Sequence, residues 1–364
     1  ILLFAGNAGN EKEPWTSMPY RTSRQRKRRR KALLRQSILA LAALTLVGGV
    51  GLGVSALIRA GRAPEPVMGA ELLALPDFSA LSVPQTAPAL PEEPEQSPPA
   101  DGPEMALVGE EINSQSCAVF CVEDGILTAA KAPDEAIYPA SMTKVMTLLT
   151  AAELADDLDA TFTMTQEILD PLYREGATLT GVAAGESLTL REYCYAAALR
   201  SAGDATGAVA ESLCGSERAF VERMNEKARQ LGLSEKTHFA NTSGLFAADN
   251  TCTARDMAAI MAAAMEEGLC REALSTVDYV TAATESQPEG IVLRNKYLDW
   301  FQEKQPEGFT VTACKNGYIR QSKNCLVSYG TGASGKHYIC VTAGAGTAVQ
   351  LMQDHRLLLS TYGK

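Results

Sequence analysis

The run Pro139-Ala140-Ser141-Met142-Thr143-Lys144, followed at once by Val145-Met146-Thr147-Leu148-Leu149, decides how the rest of the chain is read. Pro139 cannot continue a helix from upstream, so the pattern predicts a helix that begins near Ser141. A serine three residues before a lysine then puts hydroxyl and amine on one face, one turn apart. That is the geometry a serine nucleophile needs if an unprotonated lysine is to take its proton. The positive end of the helix would lie beside an oxyanion formed at the serine. Alone the motif is weak, because Ser-x-x-Lys arises by chance in a chain this long and an exposed lysine at a helix start explains it equally well.

Upstream the chain changes character. The first twenty residues show no periodicity and no starting methionine, and Met18 is a candidate start. Nine Lys and Arg between positions 21 and 35 precede residues 37–58, a run of 22 without a charge. At ~1.5 Å per residue such a run reaches about 33 Å, enough to cross a bilayer core. The basic residues before it place residues 1–36 inside and everything after the run outside. The run exceeds the ~7–15 residue apolar core of a secretory signal, which favours an uncleaved signal anchor. Ser55-Ala56 offers a cleavage site for the competing reading, in which the domain is secreted. Residues 59–103 form a linker, with ten of the chain's 17 prolines between 60 and 103. Such a segment buries too little apolar surface to fold and acts as an extended spacer.

Charge sharpens this division. Up to Arg62 there are 12 Lys and Arg against 2 Asp and Glu; the remainder has 21 against 41. The acidic exported part is a poor candidate for a nucleic-acid partner.

Residues 104–364 suffice for one large domain or two joined lobes. A hairpin is expected from 116–122 and 126–130 about the turn Glu123-Asp124-Gly125. Thr189-Leu190-Arg191-Glu192 reads as a capping box opening a helix to about Leu199. Further helices are expected at 204–214, 217–231 and 253–267, each stopped by a glycine. Strands return at 291–294, 309–315, 324–329 and 337–342, and a helix over 348–361 closes the chain. Hairpin, helical block, strands and helix imply an α+β fold. An antiparallel sheet completed from both ends is flanked by helices beside a mainly helical lobe, with a cleft between them for the site.

Nine cysteines contain no Cys-x-x-Cys pair, so neither a structural zinc nor any other metal is expected. Cys314 and Cys325 flank a hairpin loop and are the best-placed pair, although reduced, buried thiols are the favoured reading. His238, His337 and His355 show no pairing that would build a Ser-His-Asp triad. Any serine chemistry therefore needs a lysine base, whose pKa burial and a second cation can lower.

Lys315, in Cys314-Lys315-Asn316-Gly317-Tyr318, is the candidate second cation, and Gly317 would let a substrate backbone approach the strand edge. Arg200-Ser201-Ala202-Gly203-Asp204-Ala205 reads as a break between helices that could present Ser201. Asn241-Thr242-Ser243-Gly244-Leu245 is a turn or part of the cleft's scaffold.

In these motifs, taken together and in this order, the chain from about Gln115 onward resembles the low-molecular-mass penicillin-binding proteins, serine-type D-alanyl-D-alanine carboxypeptidases. The resemblance implies a β-lactamase/transpeptidase-like fold, with Ser141 as nucleophile, Lys144 as its base and Ser201 as proton relay. Lys315 would orient the substrate carboxylate, and the N–H groups of Ser141 and Tyr318 would form the oxyanion hole. Gly203, Asn316, Gly317, Tyr318 and Asn241 complete the implied substrate-binding set, without cofactor. Three departures touch substrate positioning. Gly203 stands where the family usually has asparagine, Asn316 replaces threonine, and no basic residue opens the last helix. The implied function is a membrane-anchored, wall-facing D,D-carboxypeptidase that trims the terminal D-alanine of peptidoglycan stem peptides through an acyl-enzyme, with β-lactams as covalent inhibitors. The first alternative is a weakened relative that binds wall peptides or β-lactams with little turnover. A serine β-lactamase ranks lower, for want of a convincing Glu to drive deacylation.

Overall fold

The computed structural model describes residues 105–364. The expected basic segment, anchor and linker lie outside the described residues. Among those described, no helix is long and apolar enough to cross a membrane.

The chain opens with β1 (Ala106–Leu107), β2 (Ser116–Cys121) and β3 (Ile126–Lys131), the last two forming the expected hairpin. A tight turn at Ala140–Met142 runs directly into α1 (Thr143–Leu154). A helical lobe follows. β4 (Thr161–Thr163) and α2 (Gln166–Glu175) precede β5 (Ser187–Thr189), which pairs with β4. Next come α3 (Leu190–Tyr195), widened into a π turn at Ala196–Arg200, α4 (Gly203–Cys214) and α5 (Glu217–Gln230). Then follow α6 (Ala254–Glu266), α7 (Gly268–Ser275), the small hairpin β6 (Asp278–Val280) with β7 (Val292–Arg294), and α8 (Lys296–Glu303). The chain closes with β8 (Phe309–Ile319), β9 (Lys323–Gly332), β10 (His337–Ala345) and α9 (Ala348–Tyr362).

The main sheet has six strands in the order β1-β3-β2-β10-β9-β8. The last segments thus complete a sheet begun by the first hairpin, through the pairing of β10 with β2. One departure from the antiparallel expectation is β1, which runs parallel to β3. Side chains alternate across the sheet with period two. Ile339, Val341, Val327 and Ala313 face the core beneath the helical lobe, whereas Cys340, Leu326, Val311 and Cys314 face a second core under α8 and α9.

That alternation excludes the Cys314–Cys325 pairing. Cys314 stands opposite Ser328 and Cys325 opposite Gly317, and the two thiols point to opposite faces of the sheet. All nine cysteines are free, and all but Cys214 are fully buried.

Thr189 caps α3 as expected, its hydroxyl accepting from Glu192 N–H while the Glu192 carboxylate returns to the Thr189 N–H. The helix at 253–267 does not simply stop at Gly268. A second helix, α7, starts there at a new angle, because Glu267 leaves helical geometry between them. Sequence reading also passed over α2, which carries Pro171 within it, and α8.

Candidate active site

The turn that carries Ser141 is shaped from both sides. Ala140 adopts φ +47°, a left-handed conformation uncommon for alanine, and the chain turns there to aim residue 141 into the cleft. Ser141 therefore lies in the tight turn before α1, and the α-helix proper starts at Thr143, slightly later than the sequence suggests. Two glycines press on this turn. A Cβ on Gly244 would fall 1.9 Å from Ala140 O, and one on Gly317 would fall 2.8 Å from Pro139 O and 3.0 Å from Ser141 N. Any side chain at either position would displace the turn that carries Ser141. The second contact sets the Ser141 N–H against β8 one residue before Tyr318, the two implied oxyanion donors.

Lys144 is 2% exposed and Lys315 is 1% exposed, burial that lysine rarely tolerates. Lys144 Nζ lies 3.3 Å from Ser141 Oγ and donates to the Ser243 carbonyl. Burial holds its pKa well below the ordinary lysine range, and the charge of Lys315 pushes the same way, while Asp204 and Glu217 oppose. Lys315 Nζ donates to Ser201 Oγ at 3.0 Å and to Asn316 O at 2.9 Å. Burial brings the Lys315 amine down to about 8. Ser201 ends the π turn with φ +62°, and this break in the helix offers its hydroxyl to Lys315. Asp204, fully buried at the start of α4, accepts from Thr180 N–H and Oγ1 through one oxygen only. Burial raises its pKa.

The arrangement has the groups that serine acyl transfer would use: a hydroxyl, an amine whose pKa its surroundings lower, and a second amine placed to meet a carboxylate. His238, His337 and His355 bond to Asp249 O, to Glu123, and to Ser328 with Thr342, away from Ser141.

The family profile described as D-alanyl-D-alanine carboxypeptidase (peptidase S11) matches residues 103–347. The chain belongs to that family. The D-alanyl-D-alanine carboxypeptidase DacF of Bacillus subtilis is 28% identical over 216 residues, 59% of this chain and 53% of the relative. The chain thus spans about half the length of that protein. The D-alanyl-D-alanine carboxypeptidase of Streptomyces sp. strain K15 is 27% identical over 251 residues, 66% of this chain and 83% of the relative. The crystal structure of the Streptomyces K15 DD-transpeptidase superposes with a TM-score of 0.64 at 24% identity, covering 70% of this chain and 98% of that one. The fold is therefore that of the D,D-peptidases, as the sequence led one to expect.

Against the family pattern, the structure places the remaining site residues as follows. Ser141, Lys144, Ser201, Lys315 and Gly317 come together around the cleft. Tyr318 stands at its rim, 62% exposed. The Asn316 side chain makes no hydrogen bond to a described residue, and its carbonyl receives Lys315. Asn241 braces its own loop, accepting from Gly244 N–H at 2.7 Å and donating to Leu245 O at 3.0 Å. Gly203 lines a cavity of about 270 Å³ beside the cleft, together with Leu172, Ser243 and Phe246. A Cβ at Gly203 would stand 3.4 Å from Leu172 Cδ2, so the asparagine usual in the family would meet α2 first. Sequence reading left the 241–245 segment undecided and passed over Glu217, whose place at a helix start looks like ordinary capping.

Proposed function

We propose that this protein is a serine D,D-carboxypeptidase that removes the terminal D-alanine from peptidoglycan stem peptides. The observation that carries the reading is the buried Lys144 amine, facing Ser141 Oγ at 3.3 Å with Lys315 in the same cleft. Lys144 takes the Ser141 proton as Oγ attacks the carbonyl of the penultimate D-alanine. The oxyanion that forms faces the N–H groups of Ser141 and Tyr318. Collapse breaks the C–N bond, and the leaving D-alanine amine takes the proton from Lys144, with Ser201 as proton relay. Water then cleaves the ester and restores the Ser141 hydroxyl. Lys315, charged below pH of about 8, meets the substrate's terminal carboxylate. β8 is an edge strand, so one row of its backbone groups is open to a peptide laid alongside it.

In this reading the domain acts outside the cell, tethered by residues 37–58 through the proline-rich spacer. The basic cluster and uncharged run in the sequence support that placement.

The test is intact mass after benzylpenicillin treatment, beside a D-alanine release assay on diacetyl-Lys-D-Ala-D-Ala. A one-to-one adduct with measurable release supports the reading. An adduct without release points instead to a binder with little turnover, and no adduct with no release removes the serine mechanism.

A further inference from the structure

We infer that Glu217 is a positioning residue for the Lys144 base, acting through Thr242 on the carbonyl that orients the amine. The inference rests on the acyl-enzyme reading above.

A neutral lysine amine has two N–H bonds and one lone pair. To take the Ser141 proton, the lone pair must face Oγ, so the partner of an N–H decides where it points. That partner is Ser243 O. Ser243 belongs to a segment, 241–245, with no regular secondary structure of its own to hold the carbonyl in place.

The segment is anchored at Thr242, which is fully buried. The Thr242 N–H and hydroxyl both donate to Oε1 of Glu217, at 3.0 and 2.7 Å. Its carbonyl accepts from Thr147 Oγ1 at 2.7 Å, and Thr147 lies on α1 three residues after Lys144. Its hydroxyl also lies 3.0 Å from Thr206 Oγ1 on α4, which bonds back to Gly203 O at 2.8 Å. Thr242 has a single hydroxyl proton. With a carboxylate at 217, that proton goes to Oε1, and the one hydroxyl proton of Thr206 is divided between Gly203 O and the Thr242 oxygen. Glu217 is thus the terminal acceptor of a chain that ties α1, α4 and α5 to the peptide bearing Ser243 O.

The bland alternative is an acidic residue in the first turn of α5, stabilising that helix dipole. Such a role would change stability and leave the pH profile of acylation where it is. The groups facing Lys144 from the elements packed around it are Lys315 on β8, Asp204 on α4 and Glu217 on α5. The two carboxylates favour its protonated form, so removing one charge moves the acid limb of acylation to lower pH.

Both Thr242 contacts use Oε1, so Glu217→Gln preserves them and removes only the charge, whereas Glu217→Ala removes both. The experiment measures the rate constant of benzylpenicillin acylation against pH for the wild type and these variants. Glu217→Ala is expected to acylate slower by on the order of tenfold or more across the profile, as misplacement of a catalytic group does. Glu217→Gln is expected to recover most of the plateau rate, with its acid limb displaced to lower pH. If Glu217→Ala fails to fold by circular dichroism, Thr242→Val, which loses the hydroxyl bond and keeps the N–H bond, takes its place with a smaller loss. Wild-type rates in Glu217→Ala or, failing that, in Thr242→Val overturn the inference, as does a Glu217→Gln as slow as Glu217→Ala or with an unmoved acid limb. A wild-type protein that forms no adduct instead overturns the serine mechanism and takes this inference with it.

Discussion

The main sheet carries a cluster of buried polar groups on each face, and the two are built on opposite principles. On the face under α9, Asp354 accepts from the N–H and side chains of Asn113 and Ser114, four hydrogen bonds in all. Beside it, fully buried His355 bonds Ser328 Oγ at 2.7 Å and Thr342 Oγ1 at 2.9 Å. Every polar group there is answered, which is what makes buried polarity affordable. On the cleft face, two lysines are buried in one site, and Asp204 Oδ2 has no hydrogen-bond partner among the described residues. Buried amines held together and an unanswered oxygen cost stability; burial first, and then the charge of Lys315, lowers the Lys144 pKa, while Asp204 opposes. One cluster serves the fold; the other gives up part of that stability to hold an amine whose pKa is lowered.

The strongest way to break this contrast is to remove the nucleophile and its base. Ser141→Ala should form no penicillin adduct and release no D-alanine, with its melting temperature essentially unchanged, because only a half-buried hydroxyl is lost. Lys144→Met should be equally inactive yet melt no lower than wild type, since an apolar chain of similar size replaces a buried cation beside Lys315. A marked drop in its melting temperature would show that the cleft cluster contributes to stability after all.

Asp354→Ala probes the other face. Four donors lose their acceptor, so urea unfolding should report a loss of about 3 kcal/mol, while the acylation rate of the folded fraction stays as it was. A stable but inactive variant would mean the two faces are coupled.

The pH dependences should differ as well. On the cleft face, Lys315 must keep its charge to meet a carboxylate, so kcat/KM should fall as pH rises through about 8. Lys315→Arg should lose that alkaline limb, because guanidinium stays charged. On the other face, burial depresses the His355 pKa to about 3. Between the ordinary histidine value near 6.5 and about 3, the unfolded chain binds a proton that the folded protein excludes. Stability therefore falls as pH drops through that window, by up to ~1.4 kcal/mol per unit from this residue. His355→Gln should flatten that slope in urea titrations followed against pH.

The smallest effect is expected where the family pattern is broken without touching either cluster. Gly203→Asn puts a Cβ in contact with Leu172, 3.4 Å away, at the edge of the cavity that both residues line. The change in kcat/KM should stay within about tenfold, and should grow when Leu172→Ala is added to open the space. Equal rates in the single and double variants would show that α2 does not limit position 203.

The sequence by itself made legible the Ser-x-x-Lys motif, the family and most of the element order around it. Those signals are local: a proline before Ser-x-x-Lys, a capping box at Thr189, glycine stops, and strands whose apolar residues alternate. The wide separation of the three histidines was enough to turn the reading from a histidine triad toward a lysine. Only the tertiary structure decided what surrounds that base. The Ser243 carbonyl arrives from 99 residues away and the Ser201 hydroxyl reaches Lys315 across 114. Glu217 belongs to the site only because Thr242 folds against it, 25 residues along the chain. Contacts of this kind leave no period or spacing, since they depend on how packed elements meet. The same holds for the strand register that sends Cys314 and Cys325 to opposite faces, and for the approach of α2, which brings Leu172 beside Gly203. A lysine's identity is written in the chain; its lowered pKa is a property of the burial that three helices and an edge strand create together.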